Sequence, residues 1–174
     1  MKRFKKIAKW TLIVLGVLVV LFFTAGLIGD VKYSGSREIT INDTPENVWK
    51  LITDTRRFSE SRHEVKKMEM LEKTPEGFPS WREYTPWWGT MTYVSTGQVP
   101  GETLSISMVR SDFGLSGDWV FKIVPAGKQT KVILTETSSA EGIMMRSILT
   151  ILGRDANMGL LLRTIEKELK NEKV

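Results

Sequence analysis

The sequence predicts an α+β domain, a curved antiparallel sheet of about seven strands wrapped round a long C-terminal helix, with one transmembrane helix in front of it. Three observations carry this reading. An uncharged apolar run of 20 residues, Trp10 to Gly29, stands near the start of the chain. Short segments rich in β-forming residues, divided by Gly- and Pro-containing turns, fill residues 65–138. A stripe of apolar residues spaced by three and four then runs from about Gly142 to Asn171.

The apolar run contains thirteen Leu, Ile, Val or Phe residues and is bounded by Lys9 and Asp30. As a helix rising 1.5 Å per residue it is about 30 Å long, the hydrocarbon thickness of a bilayer. Its thirteen large apolar side chains favour insertion by roughly 4–8 kcal/mol. A core helix of a globular protein would keep a polar stripe, which this run lacks. Lys2, Arg3, Lys5, Lys6 and Lys9 precede it, whereas only Lys32 and Arg37 follow closely. The positive-inside rule therefore puts the N-terminus in the cytoplasm and the domain outside a cell membrane, held by a single pass. A cleaved signal peptide competes, with Thr24 and Gly26 as small residues, but its apolar stretch is usually only about 7–15 residues. Residues 1–30 thus read as basic tail and transmembrane helix, 31–36 as a linker, and 37–174 as the domain. The chain has no Cys, so neither a lipid-modified cysteine nor a disulfide enters.

The basic balance belongs to the tail. Residues 1–30 hold +4 of the net +5, leaving 20 basic and 19 acidic side chains in the remainder. Nucleic-acid binding needs a clustered positive excess, and no such partner is expected for the domain.

Within the domain, Arg37–Ile41 alternates as a first strand. Thr44-Pro45 starts a helix, with Thr as N-cap and Pro where its missing N–H costs nothing, and Val48, Leu51 and Ile52 share one face. Residues 55–62 allow a second short helix packed through Phe58. Strands follow at 65–73, 80–85, 88–97, 103–110, 117–125 and 130–138, separated by turn signals such as Pro75-Glu76-Gly77, Pro100-Gly101 and Pro125-Ala126-Gly127. An antiparallel sheet with one face to bury needs a cover, and only the stretch 142–171 is long enough. Space left between a curved sheet and one helix would take a ligand.

Three segments resemble a known family: Pro45-Glu46-Asn47-Val48-Trp49-Lys50-Leu51-Ile52-Thr53-Asp54, Trp81-Arg82-Glu83, and Gly117-Asp118-Trp119-Val120-Phe121-Lys122-Ile123-Val124-Pro125 leading to Thr130-Lys131-Val132. With the final helix they make residues 37–170 similar to the START-like helix-grip superfamily, also called SRPBCC or polyketide cyclase/dehydrase-like. That resemblance implies a cavity for lipids, steroids, hormones or polyketides, with catalysis in a minority of members. The family often has F-x-x-W-R after the first helix; here Phe58-Ser59-Glu60-Ser61-Arg62 puts Ser61 in the place of Trp.

Alternation assigns the cavity residues. Trp119, Phe121 and Ile123 share an inward face, as do Trp81 with Glu83, Val132 and Leu134 with Glu136, and Leu104, Ile106 and Met108 with Arg110. Glu83, Arg110 and Glu136 are then candidates for fixing a ligand's polar end, or for an ion-pair network, because a buried unpaired charge is costly. Asp155 lies on the stripe of the last helix between Gly153 and Gly159; it faces the ligand, or a break at Gly153 turns it to water. Pro86-Trp87-Trp88-Gly89 sets two indoles on a turn, where they gate the cavity, touch a membrane or pack onto the core. His63, the single histidine, reads as a surface residue. One His and no Cys make a metal site implausible, and no cofactor motif is present.

The expected function is a membrane-anchored binding domain for a hydrophobic small molecule or lipid. Two alternatives stand beside it: a cyclase- or hydrolase-type enzyme using cavity carboxylates, and a non-catalytic protein-interaction module of the cell envelope whose partner is unspecified.

Overall fold

The computed structural model of the protein describes residues 2–172, so residues 173–174 at the end of the expected domain lie outside the described part. Helix α1 (Lys2–Ile28) is followed by β1 (Lys32–Ile41), α2 (Pro45–Thr53) and α3 (Thr55–Glu60). Six further strands come next: β2 (Lys67–Met70), β3 (Ser80–Thr85), β4 (Gly89–Val99), β5 (Thr103–Ser111), β6 (Leu115–Ala126) and β7 (Gln129–Ala140). The chain closes with α4 (Ile143–Leu152) and α5 (Ala156–Asn171).

The seven strands form one antiparallel sheet in the order β1-β7-β6-β5-β4-β3-β2. Each strand from β2 to β7 pairs with its neighbour in sequence, and β1 closes the far edge against β7. Register shifts between Thr92 and Tyr93 and between Ser95 and Gly97 bend the β4–β5 pair, as bulges do. Trp119, Phe121 and Ile123 on β6, and Val132 and Leu134 on β7, are buried on the concave face. They form one core with Val48, Leu51 and Ile52 of α2 and with Met158, Leu161, Leu162, Ile165 and Leu169 of α5. Asp118, Val120 and Lys122 point to water, as a two-residue period requires.

Helix α2 begins as its sequence dictates. The Thr44 hydroxyl accepts the Asn47 N–H at 3.3 Å, and Pro45 occupies the first turn. The preceding corner is pinned from the sheet, where the Thr130 hydroxyl donates to the Asp43 carbonyl at 2.6 Å.

Strand β2 is shorter than the expected 65–73 and α3 ends two residues before 62, and two larger differences from the sequence reading bear on the architecture. The expected linker is largely strand: Lys32 to Ser36 pair with Ser139 to Thr135, so β1 starts within a few residues of α1. An edge strand with small polar residues carries little apolar alternation, and its pairing comes from β7 rather than from its own pattern. The C-terminal helix is also two helices. Gly153 adopts φ 87°, which ends α4 after its N–H reaches the Leu149 carbonyl at 3.0 Å. Of these two helices, α5 covers the sheet beside α2. Helix α4 turns away and packs beside the last turns of α1, which is long and apolar enough to cross a membrane.

Candidate ligand cavity

The sheet, the α2–α3 corner and the first half of α5 enclose a cavity of about 70 Å³. Its wall is mostly aromatic and aliphatic: Phe58, Trp81, Tyr93, Leu104, Ile106, Trp119, Phe121 and Leu161. Trp81 and Tyr93 stack with centroids 5.5 Å apart and planes 18° apart, and Trp119 meets Tyr93 at 6.1 Å and 62°. Phe58 lies edge-on to Phe121 at 6.1 Å. Such contacts hold rings in fixed orientation beyond the effect of burial alone.

One charged pair interrupts this wall. Glu83, on β3, is 1% exposed and is ion-paired with Arg62. Its Oε1 also accepts the Ser59 hydroxyl at 2.7 Å and the Trp81 indole N–H at 3.0 Å. The local chain explains how Arg62 arrives there. Asp54 caps α3 through the Arg57 N–H (3.1 Å), and the turn after the helix, closed by the Arg62 N–H on the Ser59 carbonyl (3.2 Å), swings Arg62 inward across the Phe58 ring at 5.9 Å. Burial opposes the guanidinium charge, but Glu83, with Tyr93 and Glu64, outweighs it and the Arg62 pKa is raised. Burial, reinforced by Glu83, also pushes the Tyr93 phenol up, so it stays neutral. Two atoms of the pair, Arg62 Nε and Glu83 Oε2, are buried without a hydrogen-bond partner among the described residues. Buried polar atoms are seldom left so.

A second inward carboxylate stands apart from the cavity wall. Glu136 on β7 is 5% exposed and accepts the Trp119 indole N–H at 3.1 Å. Burial raises its pKa, and hydrogen bonds from Ser138 and Trp119 and the charge of Arg154 only partly oppose this. The two carboxylates thus lie in separate settings, each held by its own tryptophan.

Of the residues proposed from sequence, Trp81, Glu83, Trp119 and Phe121 line the cavity. Met108 is buried in the core but outside the cavity wall. Arg110 is a correction: it is exposed on the outer face opposite Thr92, because Tyr93 pairs with Met108 and the extra residue Val109 reverses the alternation beyond it. Asp155 is another correction. The break at Gly153 turns it outward to an ion pair with Arg37, both half-exposed. Gly159 is buried, and a Cβ there would stand 3.2 Å from Arg37 Nη1, so its smallness admits that arginine. Trp87 is 83% exposed, whereas Trp88 packs against the core. His63 is exposed beside Glu64. Sequence reasoning missed Arg62, Ser59 and Tyr93. Arg62 and Ser59 meet Glu83 only through the fold, since β3 begins 18 residues beyond Arg62 in the chain.

No protein-family model matches the chain, and no curated protein matches it. Solved structures do. The Zhui aromatase/cyclase of Streptomyces sp. R1128 superposes with a TM-score of 0.69 at 12% identity, covering 82% of this chain and 96% of that one. Norcoclaurine synthase from Thalictrum flavum gives 0.63 at 12% identity, covering 82% and 88%. A conserved protein from Geobacillus kaustophilus gives 0.66 at 17% identity, covering 80% and 96%. At such identities the likeness is one of architecture: the domain of this chain has the helix-grip fold.

Proposed function

We propose that this protein is a membrane-anchored binding domain that holds a hydrophobic small molecule or lipid by its polar end. The observation that carries the reading is the pair of buried atoms without a hydrogen-bond partner among the described residues, Arg62 Nε and Glu83 Oε2, in a wall of aromatic and aliphatic side chains that also holds Thr53, Thr55, Ser95, Gln98 and Asn157. An apolar pocket with a few convergent polar groups is the usual form of a small-molecule site. Arg62 Nε offers a donor to a ligand oxygen, and Glu83 Oε2 accepts from a ligand hydroxyl or amine. The aromatic rings supply apolar contact around them. The cavity measures about 70 Å³, whereas pockets that hold drug-sized ligands measure about 300–1,000 Å³. A ligand of that size therefore extends through the wall or opens it.

Helix α1 supports the anchored state, and the excess of Lys and Arg before its apolar run supports a cytoplasmic N-terminus with the domain outside. The near-balanced charge of residues 31–174 speaks against a nucleic-acid partner. A cyclase-type enzyme is the second reading, favoured by the shared fold of the aromatase/cyclase. It would use Glu83, yet that carboxylate is tied to Arg62, and Glu136 lies outside the cavity wall.

Native mass spectrometry of the full chain released from nanodiscs of bacterial lipid extract tests the binding reading. A stoichiometric adduct that survives release from the wild type and is lost in Arg62→Met supports it. An apo mass in both, or an adduct indifferent to Arg62→Met, rejects a cavity ligand held by this pair.

A further inference from the structure

We propose that α4 sits at the membrane surface against the outer end of α1, its exposed apolar side chains in the outer boundary of the hydrocarbon, and that the Trp87 turn makes a second contact with the same surface. This rests on the membrane-anchored reading and adds to it how the domain is held.

Helix α4 has no acidic residue, and Ile151 and Leu152 are 60% and 61% exposed, with Ile143 and Met144 also open to solvent. The structure joins this face to the span. A Cβ on Gly26 would lie 2.3 Å from both the Ile143 carbonyl oxygen and Ser147 Oγ, and one on Gly29 would lie 2.4 Å from Thr150 Oγ1. Two glycines thus let α1 and α4 touch through backbone and small hydroxyl side chains. The depth follows from the sequence. With the uncharged run centred in about 30 Å of hydrocarbon, Gly29 stands at the outer edge and Gly26 about 4.5 Å below it. A helix packed at that level has its apolar face where interfacial helices carry theirs, about 5–10 Å into the boundary. The exposed side chains of α4 therefore continue the lipid-facing surface of α1, whose Leu27 and Ile28 are themselves exposed. Burying them in lipid removes an apolar patch that water would otherwise disfavour.

The Trp87 turn belongs to the same end of the sheet. There β1 begins, β7 ends into α4, and the β3–β4 and β5–β6 turns sit side by side. Asp112 Oδ2 accepts the Thr90 N–H at 2.8 Å, and the Gly114 carbonyl accepts the Glu141 N–H at 3.3 Å just before α4. A short chain of hydrogen bonds thus runs from the Trp87 turn to α4. An indole that is almost wholly exposed suits the interfacial belt, where an amphipathic ring is stable.

The absence of cysteine makes single-site probes clean. The full chain is reconstituted in phosphatidylcholine–phosphatidylglycerol vesicles, with an environment-sensitive fluorophore on Leu152→Cys, Trp87→Cys, Val20→Cys or Val120→Cys in turn. Lipids brominated near the head group and at mid-chain serve as quenchers. The expected pattern is quenching of Leu152→Cys and Trp87→Cys most strongly by the shallow bromines, of Val20→Cys by the deep ones, and of Val120→Cys by neither. Water-like emission without quenching at Leu152→Cys, with Val20→Cys still quenched, overturns the inference and leaves the anchor intact. Water-like emission at Val20→Cys removes the anchor and the inference together. A blue-shifted Leu152→Cys that bromines do not quench means that protein, a second copy included, covers α4, and this also overturns the inference.

Discussion

Trp119 and Glu136 face each other across β6 and β7, and the indole N–H donates to the buried carboxylate at 3.1 Å. The bond partly offsets the cost of keeping Glu136 out of water, but burial still dominates and holds its pKa above the ordinary glutamate value of 4.5. A carboxyl whose folded pKa is raised binds its proton more tightly in the native state. Its contribution to stability is therefore complete below the unfolded pKa and is lost as pH rises through the folded one. Glu136→Gln keeps an acceptor for Trp119 and has no charge to desolvate. The variant is expected to melt above the wild type at pH 7 and to lose that advantage near pH 4, in thermal denaturation followed by circular dichroism. Equal melting differences at both pH values would reject a charge penalty at this site.

The Arg62–Glu83 pair makes a different prediction. Removing one partner from a buried ion pair leaves the other uncompensated and costs about 3–5 kcal/mol, whereas replacing both with apolar residues of similar size is often neutral. Glu83→Leu is expected to fall in that destabilising range by urea titration, and the double variant Arg62→Met/Glu83→Leu to recover most of the loss. Ligand retention should not return with stability in the double variant, because the polar anchor is gone. Two single variants whose losses simply add would show that the pair is not coupled.

These two carboxylates also mark what the sequence could tell. Period-two alternation put Trp81, Glu83, Trp119 and Glu136 inward, because a sheet with one buried face constrains every second residue. The same rule failed at Arg110, since the extra residue Val109 shifts the register of β5 against β4 and nothing in the local pattern announces it. Arg62 was illegible for another reason: its role depends on a tertiary partner on β3, and a lone arginine after a short helix reads as surface. The helical stripe continued through Gly153 in spacing, but a glycine at φ 87° ends a helix whatever the stripe does. Its two halves serve different partners, the sheet for α5 and the anchor helix for α4.

The tryptophans divide by environment into two stability classes. Trp119 is buried and bonded to Glu136, and truncating a buried Trp to Ala costs about 3–5 kcal/mol. Trp87 is 83% exposed and supports no buried contact, so Trp87→Ala should stay within about 0.5 kcal/mol of the wild type. Urea unfolding of the two variants in detergent separates them. A large loss at Trp87→Ala would mean that the turn itself depends on the ring.

The contact of α4 with Gly26 of α1, and with Gly29 just beyond that helix, is open to a steric test. A side chain at Gly26 meets the Ile143 carbonyl oxygen at 2.3 Å, and backbone cannot step aside as a flexible side chain can. Gly16, ten residues earlier on the same helix, has nothing within 4 Å of such a Cβ. Gly26→Val is therefore expected to push α4 off α1, while Gly16→Val leaves it in place. Hydrogen exchange on nanodisc-embedded protein reads this directly. Overpacking of about 1–3 kcal/mol should speed exchange of the α4 amides by roughly 5- to 150-fold in Gly26→Val, with the α5 amides around Ile165 unchanged. The domain core should be spared because α5, not α4, covers the sheet. Unaltered α4 exchange in Gly26→Val would show that the two helices do not touch there, and uniform acceleration through α5 would show that α4 and the core open as one unit.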